Sequence, residues 1–192
     1  ASGTSNTLAG KEYKIPVLGT MAHSWVMSFP SEQDAFRAYA ELFPDASVFL
    51  IDTYDTLNSG LPAAIEVGHE LKQQGRNFGV RLDSGDIQYL SEEVRKALDK
   101  ADLPDATITV SNELNEEIVD SLVRDGAPID SWGIGTHMVT GGNESSFTGV
   151  YKMCARTDET GTLIPTMKLS DNPEKMTNPA VKQVWRLYLD DG

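Results

Sequence analysis

The chain has 192 residues, 40% hydrophobic and 23% charged, a balance typical of a globular domain with room for one sizeable core. Its formal charge of −13 argues against nucleic acid or an anionic membrane surface as a partner, although a local cationic pocket could still hold phosphates. No run approaches the roughly 18 apolar residues of a membrane span, and the single cysteine, Cys154, cannot close an internal disulfide, which predicts a buried, reduced thiol in a cytoplasmic setting.

Ala1 to Gly10 carries neither the basic nor the apolar region of a signal peptide. The chain begins on Ala in the middle of what reads as a motif, so the expectation is a piece of a longer protein. Ile15 to Leu18 is the first predicted strand, and the run Gly19-Thr20-Met21-Ala22-His23-Ser24-Trp25 then sets His23 just past a strand end. Parallel α/β folds keep their chemistry at such ends. Taken alone, a histidine there is also a buried, satisfied residue or a helix cap.

Ser31 to Phe43 reads as a helix: Ser31 can cap it, Asp34 stands at the capping-box position, and Phe36, Tyr39, Ala40 and Phe43 share a face. Val48 to Ile51 is the next strand and delivers Asp52, Thr53 and Asp55, one of which is expected to cap the following helix. That helix covers Leu61 to Gln74, with Pro62 in its first turn and Gly75 as its stop. Phe78 to Leu82 follows as a strand ending in Asp83-Ser84-Gly85-Asp86. A helix from Ser91 to about Lys100, a strand Ile108 to Val110, a helix Asn115 to Arg124 and a strand Trp132 to Ile134 continue the rhythm. In the last helix Ile118, Val119, Leu122 and Val123 share a face, and Gly126 ends it.

Five strands alternating with four helices predict an α/β fold. The expected core is a (β/α) barrel, irregular or partial and TIM-like, over residues 1–145, with an open doubly wound sheet as the alternative. After Gly141-Gly142-Asn143 the rhythm breaks. Phe147 to Arg156 alternates like a strand, Asp158 to Gly161 reads as a hairpin turn, and Val184 to Leu189 as a further strand. Residues 146–192 are therefore expected to join the β-rich sheet of a second domain.

On the Phe78 to Asp83 strand, alternation puts Gly79, Arg81 and Asp83 on one face, which in a small barrel points inward. An Arg and an Asp two apart in that position are either a structural pair or face an anionic ligand. Ser84-Gly85 next to them permits close backbone approach to a ligand. Asp52 and Asp55 could hold Mg²⁺ or sugar hydroxyls, but no metal-ligand spacing is visible. Trp132-Gly133-Ile134-Gly135-Thr136 is the phosphate candidate, with small residues that leave backbone N–H groups and a hydroxyl accessible. His137 receives no role.

These segments resemble one family, the nicotinate phosphoribosyltransferases among the type II phosphoribosyltransferases. The resemblance runs in order through Gly3 to Asn6, Ile15 to Trp25, Ile51 to Thr56, Gly79 to Asp86, Ser111 to Glu116 and Gly133 to Thr136, then Val150 to Lys152, Lys168 to Ser170 and Asn178-Pro179. It implies an enzyme that joins nicotinate to phosphoribosyl pyrophosphate with coupled ATP hydrolysis and Mg²⁺, in NAD salvage, as a homodimer. By that resemblance His23 is the transiently phosphorylated histidine, Thr20 and Arg81 contact nicotinate, and Asp83 lies near the ribose. Ser84 and Asp52 join the substrate site, and Gly133, Gly135 and Thr136 take the 5-phosphate. Family members also carry an N-terminal region whose aromatic stacks on the pyridine ring, so the chain alone is expected to be a poor catalyst. A nicotinamide or quinolinate phosphoribosyltransferase and a noncatalytic phosphate-binding barrel module remain the alternatives.

Overall fold

The computed structural model describes residues 2–111, 113–141, 149, 151–169 and 176–188. The break at Gly142-Asn143, the start of the predicted Phe147 strand, Val150, Asn112, Ser170 and Leu189 lie outside these residues.

Helices α1 (Thr7–Tyr13), α2 (His23–Met27) and α3 (Glu32–Leu42) precede strand β1 (Val48–Leu50). A π-helical turn (Thr56–Gly60) leads into α4 (Leu61–Gln73), followed by β2 (Gly79–Leu82), α5 (Ile87–Lys100), β3 (Thr107–Val110), α6 (Glu116–Arg124), β4 (Ser131–Trp132) and α7 (Thr136–Thr140). Strands β5 (Ala155–Thr157) and β6 (Leu163–Pro165) close the described part of the chain.

β1 to β4 form one parallel sheet in the order β1-β2-β3-β4. Each strand thus lies beside its predecessor in sequence, and every crossover contains a helix. Register pairs Leu50 with Arg81, Arg81 with Thr109, and Val110 with Trp132, so the C-terminal ends of the four strands fall side by side. The central strands carry runs of apolar residues because both faces are covered: Phe49, Leu50, Val80, Leu82, Ile108 and Val110 are fully buried. Phe36 stacks on Phe49 with ring centroids 4.9 Å apart, and α5 adds Val94 and Leu98 to the core. Each such side chain contributes about 1.5–3 kcal/mol on leaving water.

Several predicted elements are present with shifted ends. Ser31 caps α3 as expected, its hydroxyl accepting from Asp34 N at 3.1 Å and donating to the Asp34 carboxylate. Asp55, rather than Asp52 or Thr53, is the cap after β1, and it caps the π-helical turn. That turn lies against the strand end: a Cβ on Gly60 would stand 1.9 Å from the Ile51 carbonyl oxygen, so no larger residue fits without rearrangement. Gly75 and Gly126, at φ 72° and 74°, follow α4 and α6 as the predicted stops. α5 begins four residues earlier than predicted, because Asp86 accepts from Tyr89 N and serves as its cap.

Other expectations are corrected. Ile15 to Leu18 forms no strand of the sheet. Val17 makes one isolated bridge to Thr4, Pro16 lacks a donor, and Ile15, Val17 and Leu18 are exposed. His23 consequently opens a short helix instead of following a strand. Phe43 is half exposed at the C-terminal end of α3, and in α6 Leu122 is buried while Ile118 and Val123 face solvent. Trp132 to Ile134 shortens to Ser131–Trp132. In the tail the strand is Ala155–Thr157, so Cys154 precedes it and is half-buried. Asp158 to Gly161 makes the predicted hairpin turn between β5 and β6. Residues 184–188 form no strand, pairing with no strand among the described residues, and Val184, Trp185 and Leu187 are exposed. Among the described residues no helix is long and apolar enough to cross a membrane.

Candidate active site

The C-terminal ends of β1, β2 and β3 deliver Asp52 and Thr53, Asp83 and Ser84, and Ser111, while α2 brings His23 over them. α2 is held by its apolar residues: Val26 and Met27 are buried, and Trp25 Nε1 donates to the Ala35 carbonyl at 2.9 Å. The imidazole is thereby carried by a helix anchored on α3.

Arg81 is the hub. Its Nη1 donates to Thr20 Oγ1 at 2.6 Å and to the Met21 carbonyl at 3.3 Å. Its Nε donates to Ser111 Oγ at 2.9 Å, and its Nη2 to Asp83 Oδ1 at 3.0 Å. Every nitrogen of the guanidinium is thus engaged, although Nη2, with one such partner for two N–H groups, has a donor left to offer. Ser111 Oγ in turn donates to Asp83 Oδ1.

Asp83 faces His23 on its other side, with Oδ2 3.6 Å from Nε2, close enough for an ion pair but too long for a hydrogen bond. Burial pushes the Asp83 carboxyl up, but His23, the Ser111 hydroxyl and the Arg81 guanidinium together outweigh it and hold the group well below the usual carboxylate range. Asp83 is therefore an anion at any physiological pH. His23 Nδ1 lies 3.0 Å from the hydroxyl of the fully buried Thr53, while His23 Nε2 is buried without a hydrogen-bond partner.

Asp52 supports the strand end from below. Its Oδ2 accepts from Asp83 N at 3.1 Å and from the Ser84 hydroxyl, leaving Oδ1 buried and unpartnered. Behind it Glu32, also buried, accepts from Ser59. Burial raises the Glu32 carboxyl above its ordinary range; the Ser59 hydrogen bond opposes this, and the charges of Asp55 and Asp52 add to it.

The structure therefore brings together His23, Asp83, Thr20, Arg81, Ser84 and Asp52. Gly133 lies beside them: its N–H donates to the Val110 carbonyl at 2.8 Å, and a Cβ there would stand 3.2 Å from Ser111 Cβ. Gly135 and Thr136 begin α7, exposed at the end of β4, and nothing ties them to Arg81 directly. His137 pairs at 3.7 Å with Glu113. Of two hydroxyl residues of the cluster, Ser111 has no role in the sequence reading and Thr53 only that of a possible helix cap. The available signal was their place immediately after a strand.

The profile of the nicotinate phosphoribosyltransferase (NAPRTase) family matches residues 1–191. A nicotinate phosphoribosyltransferase of Bacillus subtilis is 46% identical over 186 residues, covering 97% of this chain and 38% of its own length. One from Homo sapiens is 35% identical, with 98% of this chain and 44% of the relative covered. The crystal structure of human nicotinic acid phosphoribosyltransferase superposes with a TM-score of 0.63 at 32% identity, over 69% of this chain and 37% of that one. The chain thus spans less than half the length of the relatives it matches.

Proposed function

The chain belongs to the nicotinate phosphoribosyltransferase family, and on that premise we propose that the complete protein joins nicotinate to phosphoribosyl pyrophosphate, with coupled ATP hydrolysis, in NAD salvage. The observation that carries this reading is the array Thr20–Arg81–Asp83–His23, in which a cation, an anion and a half-buried imidazole meet at the sheet's C-terminal rim.

Arg81 and Thr20 bind the nicotinate carboxylate, the spare donor of Nη2 making first contact and Thr20 yielding Nη1 to complete a two-bond fit. The pyridine nitrogen forms a bond to the ribosyl anomeric carbon as the bond to pyrophosphate breaks. The carbon passes through an oxocarbenium-like state, and Asp83, held ionised by its neighbours, stabilises that positive charge. Gly133, Gly135 and Thr136 form the 5-phosphate site, a role supported by the exposure of Gly135 and Thr136 at the end of β4; the Gly133 N–H is taken by the Val110 carbonyl, so its part is to leave space without a side chain. His23 takes the terminal phosphoryl group of ATP, releasing ADP, and loses it to water after product forms. Its buried ring nitrogen without a hydrogen-bond partner supports that role.

Mg²⁺ belongs to the same reading. The unpartnered Oδ1 of Asp52 fits a cation. Among the described residues no cluster of three or more acidic, His or Cys side chains could hold a metal; Mg²⁺ ordinarily keeps several waters and shares a phosphate-bearing substrate. When bound it would offset the charge of the departing pyrophosphate.

The architecture we propose is a (β/α) barrel over residues 1–145, supported by the strand order without reversal. Residues 146–192 belong to a second domain, supported by the separate two-stranded sheet of β5 and β6. A homodimer and a cytoplasmic setting complete the reading, the latter supported by the free thiol of Cys154.

Turnover of the complete enzyme with nicotinate, nicotinamide or quinolinate, each with phosphoribosyl pyrophosphate and ATP, tests the substrate. Labelled ATP should give an acid-labile phosphoprotein that His23→Ala abolishes. Undiminished label in that variant, or turnover restricted to another pyridine, would overturn the reading.

A further inference from the structure

Ser111 stands between the two charges of the cluster. Its hydroxyl accepts from Arg81 Nε at 2.9 Å and donates to Asp83 Oδ1. Residue 133 beside it is glycine, and a Cβ there would make a tight contact of 3.2 Å with Ser111 Cβ. An Arg and a carboxylate left to themselves close into a two-bond pair through Nε and Nη2. Here one of those two positions is filled by a neutral hydroxyl, so Arg81 and Asp83 share a single direct hydrogen bond through Nη2.

We propose that Ser111 is a positioning residue that keeps Arg81 from collapsing onto Asp83 and so sets the preference for a carboxylate-bearing pyridine; the inference rests on the functional reading above. By holding Nε, the hydroxyl turns the Nη1 and Nη2 edge of the guanidinium toward Thr20, whose Oγ1 is 2.6 Å from Nη1. That is the edge on which an incoming carboxylate finds an unfilled donor. Without the hydroxyl, Arg81 Nε and Asp83 Oδ1 are free to meet, the guanidinium shifts toward Asp83, and an anionic ring substituent loses its partner. A neutral carboxamide, which depends less on a full cation, loses less.

The readout is the ratio of kcat/KM for nicotinate to that for nicotinamide, measured on the same sample of the complete enzyme, so that any loss of folded protein cancels. In Ser111→Ala the ratio should fall about tenfold, with most of the change in the KM for nicotinate, as for the loss of one hydrogen bond to a charged group. Ser111→Thr keeps the hydroxyl and should hold the ratio within about twofold of wild type. An unchanged ratio in Ser111→Ala, or an equal fall in both variants, overturns the inference while leaving the function intact. A wild-type enzyme that does not turn over nicotinate overturns both together.

Discussion

Where the four parallel strands begin, polar groups are spent on the backbone: Asp130 Oδ2 accepts from Ile108 N at 2.7 Å, and Arg95 donates to the carbonyls of Ala106 and Leu103. Where the same strands end, half-buried charges face one another, and His23 Nε2 and Asp52 Oδ1 have no hydrogen-bond partner. Among the described residues these groups of the first rim are paired and two at the second are left open, on one sheet with one core. Such an asymmetry separates groups that hold a fold from groups that await a ligand.

The contrast is sharpest at Asp83. Asp83→Asn should reduce kcat of the complete enzyme by about 10²–10³-fold, the scale of a lost electrostatic partner in the transition state. Its thermal midpoint should move little by comparison; a collapse of stability with catalysis retained would erase the distinction between the rims. Arg81→Lys should come next. On the proposed function, losing a bidentate match to nicotinate costs about 1.5–3 kcal/mol, read as a raised KM for nicotinate. Unchanged kinetics would remove Arg81 from the binding site.

At the opposite rim the expected effects reverse in kind. Asp130→Ala strands the N–H of the fully buried Ile108 and should cost about 1–3 kcal/mol in denaturant unfolding. Catalytic constants should stay at wild-type values. A loss of turnover without a loss of stability would mean that this rim also serves the reaction.

The smallest effect concerns Glu32, behind the open rim. Its folded-state pKa is raised, so its contribution to stability is full below the unfolded value and is lost as pH rises through the folded one. Glu32→Gln cannot ionise, so its stability relative to wild type should improve between about pH 5 and about pH 8. Denaturant unfolding at the two pH values reads the difference. No change between them would show that Glu32 titrates as it does in the unfolded chain.

The saturated interior of this sheet was legible in the sequence and its periphery less so. Val48 to Ile51, Phe78 to Leu82 and Ile108 to Val110 were readable as strands because apolar side chains fill both faces. Ile15 to Leu18 has the same composition but no neighbouring strand beyond one bridge to Thr4, and no local pattern reveals the absence of a partner. Asp86, which ends the segment Asp83-Ser84-Gly85-Asp86, is a helix cap, and nothing local to the sequence tells that from a role in the site, since a carboxylate after a strand suits either. In the site, alternation puts Arg81 and Asp83 on one strand face and leaves a structural pair and an anionic ligand open; the structure shows the two in contact at 3.0 Å. The part of Thr53, offered in the sequence only as a possible cap, and of Ser111 is not legible there because a hydroxyl has no periodicity, and its meaning appears only once the strand ends are aligned.

The hydrogen bond from Leu169 N to the Thr53 carbonyl, at 3.2 Å, joins the tail to the residue whose hydroxyl meets His23. Of the backbone hydrogen bonds described outside helices and strands it spans the greatest stretch of sequence. Closing so long a loop is entropically slow compared with docking adjacent βα units. The expected order is that the sheet assembles first and this contact beside the histidine closes later. During refolding, recovery of the phosphorylation proposed for His23 should lag behind the return of helical circular dichroism, and Leu169→Pro, which removes the donor, should lengthen that lag.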